Sequence, residues 1–156
     1  MRPMDCSGQG PSAKGSFDID QQTASRMLAA PLNVNGRPNS DVVRPVVSAI
    51  DITRGNRNVR TIDFGTDRTE EQAAQYELPF EHVKNYVFPE RKDNNRESYR
   101  LKWWLYAEPR PALRMATATI ERYIVTPAHA KHRLFVWQFP QVLCNQGTLI
   151  FARDDN

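Results

Sequence analysis

Cysteine is scarce. The 156-residue chain has two, Cys6 and Cys144, at opposite ends and with no CxxC spacing. That excludes the disulfide-dense frameworks of small secreted domains, and a Cys6–Cys144 bridge is the single pairing open to it. The three histidines, His82, His129 and His132, do not combine with these cysteines in a zinc-ligand spacing. Long apolar runs are missing too. None approaches the roughly 20 residues of a membrane-spanning helix, and no secretory apolar segment follows Met1. The expectation is a cytoplasmic protein with reduced thiols and no membrane partner.

Catalytic signatures are equally thin. There is no GxGxxG turn and no P-loop, so nothing is built to cradle a nucleotide phosphate. HExxH, DxDxDG and GxSxG are absent. Asp63 has no second acid and no lysine at the spacing of a nuclease site. Glu70 and Glu71 open a helix, where the macrodipole favours negative charge. His82 sits on a helical stretch among ordinary contacts and reads as a structural or surface histidine. No catalytic, cofactor-binding or metal-binding residue is assigned, and whether the chain acts as an enzyme is left open.

Hydrophobic residues make up 40% of the chain and charged residues 25%, which suits a folded domain with a core. The net charge of +3 hides an asymmetry. Between Arg91 and Arg133 there are ten Lys and Arg against four acids; residues 16–90 carry eight bases and eleven acids. A basic half beside a mildly acidic one suits a surface facing a polyanion, and also suits simple solvation of helix faces.

Residues 1–15, rich in Gly, Ser and Pro, read as a flexible lead-in. A helix is expected over 20–29, capped by Asp18 or Asp20. A β-prone stretch spans 42–52, interrupted by Pro45, and a strand spans 59–64. Thr69 and Gln72 form a capping box for a helix over 70–76. Phe80, Val83 and Val87 give one face to a helix over 79–87. Tyr99, Trp103 and Tyr106 do the same for one over 95–107, with Trp103 expected in the core and Arg96, Arg100 and Lys102 on a basic face. Residues from 111 begin as helix. Strands follow at about 121–126, 132–139 and 147–153. Strand and helix blocks are segregated, so the expected fold is α+β: a small mixed sheet with flanking helices.

The sharpest signal lies in "YIVTPAHAKHRLFVWQ", residues 123–138. Two β-prone runs flank His129, Lys131, His132 and Arg133, where a tight hairpin would use Gly, Asn or Asp. Such a connector can donate to guanine O6 and N7 in a major groove or to phosphates. A basic loop facing only water is the competing reading.

The motif "RYIVTPAHAKHRLFVW" resembles a signature of MmeI-like DNA methyltransferases. So do "NVNGRPNSDVVRPVVSAIDIT", "TIDFG", "AAQYELPFEHVKNYVFPER" and "KWWLYAEPRPALR", in that order. The resemblance runs from about Gly8 onward. It implies the target recognition domain of a restriction–modification enzyme, in which duplex DNA is positioned for adenine-N6 methylation by a separate S-adenosylmethionine-dependent domain. That cofactor belongs to the parent enzyme, since neither an Asn-Pro-Pro-Tyr motif nor an S-adenosylmethionine glycine motif occurs here. On this reading residues 1–15 lead in from a missing methyltransferase domain, and 16–156 form a recognition domain truncated at its C-terminal end. Lys131 and Arg133 rank first as DNA contacts, with His132 beside them. Arg110, Arg114 and Arg122 come next. Asn39, Ser40 and Arg44 form a third tier, whose loop could equally be a turn that caps itself. Two alternatives stand: a non-catalytic remnant acting as a protein-interaction fragment, and a remnant that does not fold alone because its last strand lacks partners.

Overall fold

The computed structural model describes residues 6–153. In chain order the first elements are β1 (Cys6–Gln9), β2 (Asp18–Ile19), α1 (Gln21–Ala29), β3 (Val43–Val47), α2 (Ala49–Arg54), β4 (Arg60–Ile62) and α3 (Glu70–Ala74). Then come α4 (Glu77–Tyr86), α5 (Phe88–Arg91), α6 (Glu97–Leu101), α7 (Pro111–Ala118), β5 (Tyr123–Pro127), β6 (Val136–Gln138), β7 (Leu143–Cys144) and β8 (Thr148–Ala152). The fold is α+β, with two small four-stranded sheets among the described residues. The chain divides into two compact units: Met1–Pro11, Pro45–Asn58 and Arg110–Asn156 in the first, Ser12–Arg44 and Val59–Pro109 in the second.

The first unit is built on an antiparallel sheet in the order β1-β8-β5-β6. One face carries Tyr123, Val125, Ile150 and Ala152, which pack with Leu113 and Ile120 in a single core cluster. Fully burying Val125 or Ile150 contributes about 2 kcal/mol each. Tyr123 anchors the cluster through its hydroxyl, which donates to the Val142 carbonyl at 2.6 Å and lies 3.3 Å from Cys144 Sγ. Cys6 and Cys144 form no disulfide. The last strand does not lack partners: β8 pairs with β1 on one side and β5 on the other. Its partner β1 begins at Cys6, inside the segment whose composition suggests a flexible lead-in, and Gly10, Pro11 and Ser12 beyond it are buried. Gly10 has to be glycine, because a Cβ there would lie 2.3 Å from the Cys144 and Asn145 carbonyl oxygens.

The stretch 42–52 does not continue as strand. It turns into α2 at Ser48, because Ser48 and Asp51 form a capping box. Asp51 accepts from the Ser48 backbone and hydroxyl at 2.8 and 2.9 Å and from Arg57 N and Nε at 2.9 and 3.0 Å. Burial alone would raise the Asp51 pKa. The hydrogen bonds from Arg57 and Ser48 outweigh it and hold the carboxyl well below the usual range.

In the second unit β2 pairs antiparallel with β4. Asp20 caps α1 as expected, accepting from the Thr23 amide at 2.7 Å, and α1 buries Ala24 and Met27. The Thr69/Gln72 box opens α3. Val83 and Val87 are fully buried, and Phe80 of the same face joins a run of rings with Phe64, Trp103 and Phe88. The helix expected over 95–107 stops at Leu101. Trp103, Trp104, Leu105 and Tyr106 are all buried, and a helix with one buried face cannot bury four residues in succession. An extended turn does so, and the buried guanidinium of Arg91 satisfies its backbone. Arg91 donates to the carbonyls of Leu105 at 2.6 Å, Trp103 at 3.2 Å and Lys14 at 3.3 Å, and to that of Ala13.

Candidate nucleic-acid interface

β5 and β6 pair as a hairpin, with Tyr123 opposite Gln138 and Val125 opposite Val136. The strand expected from residue 132 begins at Val136, and the one expected to end at Thr126 runs to Pro127, so the connector is 128–135. Its start follows from β5 itself: Thr126 and Pro127 continue to pair with β8 beyond the point where pairing with β6 has ended. A long loop needs no tight-turn residues, which explains why cationic side chains can occupy it.

His129, Lys131, His132 and Arg133 are all exposed on this loop, and none of them makes a hydrogen bond or ion pair within the described residues. An exposed cation that stabilises nothing internally keeps its donors for an external acceptor. Arg122, immediately before β5, is also exposed, and its guanidinium lies over the Trp137 ring, 4.2 Å from the centroid.

The other expected contacts divide by unit. Arg110 and Arg114 belong to the first unit but to α7, which packs against β1 and β8 on the core side of the sheet. Arg110 is the exposed residue that starts this helix, with a left-handed backbone (φ 54°); Arg114 is half-buried. Asn39, Ser40 and Arg44 belong to the second unit. Asn39 is 2% exposed; its amide donates to the Met27 carbonyl at 2.8 Å and accepts from Asn33 at 2.9 Å. It fastens α1 to the loop, which is the self-capping arrangement. Arg44 is paired with the buried Asp63 at 2.9 Å, which gives Asp63 a structural role. Ser40 alone of the three is exposed. The basic face expected near residue 100 is also occupied locally: Arg96 donates to the Tyr99 hydroxyl at 2.8 Å and Arg100 to the Asn94 carbonyl at 2.6 Å.

One solved structure of similar fold is the Type IIL restriction-modification enzyme MmeI in complex with DNA. The likeness has a TM-score of 0.59 at 12% sequence identity and covers the whole of this chain and 20% of that one. This chain therefore spans about a fifth of its neighbour. No family model matches the sequence, and no curated protein matches it.

Sequence reasoning missed the aromatic side chains around the hairpin. Phe135, Trp137 and Phe139 are 60%, 52% and 59% exposed. Their period of two, with Val136 and Gln138 between, was the available signal. Among the described residues no three His, Cys, Asp or Glu side chains group to hold a metal ion, and no helix is long and apolar enough to cross a membrane. S-adenosylmethionine does not fit these residues, which provide neither a glycine-rich loop nor the methyltransferase motif. No step of methyl transfer is assigned to them.

Proposed function

We propose that this chain is a DNA-recognition module of a restriction–modification methyltransferase, holding duplex DNA for adenine-N6 methylation by a separate domain. The observation that carries the reading is the 128–135 loop, whose Lys131, His132 and Arg133 are exposed and internally unengaged. The fold likeness to an enzyme solved with DNA and the sequence resemblance both favour it. In this reading Lys131 and Arg133 donate to phosphate oxygens, Arg122 extends the contact along the hairpin, and His132 lies between them. Affinity comes chiefly from release of counterions and falls with salt. The target base leaves the stack and enters a pocket supplied by the catalytic domain.

The test is fluorescence anisotropy of a mixed-sequence duplex, stepped through salt. Replacing both Lys131 and Arg133 with alanine is expected to weaken binding and to reduce the log–log salt slope by about one to two units. A slope that does not change would remove these residues from the interface.

A further inference from the structure

The sheet of the first unit has a second face, opposite the core. Register places Ile124 across from Trp137 on one side and Phe151 on the other, and Leu149 lies on the same face of β8 as Phe151. Phe135 packs its ring 6.4 Å from that of Phe151. Trp137 and Phe135 are exposed there, beside the half-buried Ile124, Leu149 and Phe151, and large exposed apolar side chains grouped in one place mark an interaction site.

The charges around the face say what kind of partner. Arg122 stands at one end of it, its guanidinium over the Trp137 ring, 4.2 Å from the centroid. Arg133 and Lys131 stand at the other end, on the hairpin loop. No carboxylate occupies a described position on the face. The result is a row of rings with cations at both ends, spaced across strands about 4.8 Å apart. A partner matched to it carries flat π-faces and regularly spaced negative charge. A duplex does not fit, because its base faces are covered by their neighbours in the stack; an unpaired strand offers both.

We infer that this face binds single-stranded nucleic acid, with Trp137 and Phe135 stacking on unpaired bases and Arg122, Arg133 and Lys131 meeting the phosphates. This goes beyond the duplex reading, because its central contacts are made by the rings and not by the loop cations.

Tryptophan emission supplies the test. Trp103 and Trp104 are 6% and 9% exposed and Trp137 52%, so acrylamide quenching of the intact chain reports mainly on Trp137. Adding a twelve-residue oligothymidylate at low salt is expected to reduce that quenching by half or more. Trp137→Ala should weaken oligothymidylate binding about tenfold, and Trp137→Phe should recover much of it. Any of three results would overturn the inference: no oligothymidylate binding at low salt, binding with Trp137 still fully quenchable, or loss of quenching when the protein alone is concentrated. The last would mean that a second copy covers the face. The duplex reading fails separately, through an unchanged salt slope in the Lys131/Arg133 double variant while Trp137 remains protected by oligothymidylate.

Discussion

The two units use their cations differently. In the second unit several positive side chains are tied to internal acceptors. Arg91 holds four backbone carbonyls, Arg44 pairs with Asp63, Arg37 with Asp41 at 2.7 Å and Lys14 with Glu108 at 2.8 Å. In the first unit Arg57 is used in this way against Asp51, whereas the hairpin loop holds Lys131, His132 and Arg133 in solvent with no internal partner among the described residues. A count of Lys and Arg along the chain does not separate these uses. What separates them is whether a backbone or carboxylate oxygen is already within reach.

The largest effect on stability is expected where the engaged cation is most deeply buried. Arg91→Met leaves the Trp103, Leu105, Ala13 and Lys14 carbonyls without their donor and should cost about 3 kcal/mol, read as a lower urea midpoint. A change below about 0.5 kcal/mol would break the contrast between the units. Asp51→Ala is expected to cost about 2 kcal/mol, since it removes the acceptor that caps α2 and holds Arg57.

Asp51 also predicts a pH dependence. Its carboxyl is held below the ordinary value in the folded chain, so on acidification the unfolded chain takes up the proton first. The stabilisation is present above about pH 4, the ordinary carboxylate range, and is lost as pH falls toward the folded value. Thermal melts from pH 6 to pH 3 should show the loss, and Asp51→Asn should show less of it.

Smaller still is the contrast between neighbours. Asn39→Ala should cost about 1 kcal/mol through its hydrogen bonds to Met27 and Asn33, whereas Ser40→Ala should stay within about 0.5 kcal/mol. Smallest on stability, again within about 0.5 kcal/mol, is the Lys131/Arg133 double alanine variant. Its effect belongs to duplex binding. If it melted substantially lower, these cations would be engaged like those of the second unit and the comparison would fail.

Much of the fold was legible. Asp20 before α1, the Thr69/Gln72 box and the Phe80–Val83–Val87 spacing each placed a helix, because the interacting groups lie within one or two turns. The Ser48/Asp51 box was written in the same notation and was hidden by the β-branched residues around it. The hairpin loop was legible as a cationic interruption between two β-prone runs. Its bounds were not, because they depend on β5 continuing its pairing with a strand some twenty residues further on.

The sequence by itself determined the helix starts, the α+β class and the cationic cluster at 129–133. All three rest on contacts between close neighbours or on composition alone. Only the tertiary structure decided which cations are engaged, that Asn39 is buried while Ser40 is not, that Trp103 to Tyr106 lie in a buried turn, and that Trp137 is in solvent. Burial and hydrogen bonding at those positions are set by residues distant along the chain, and a local pattern of side chains contains no term for them.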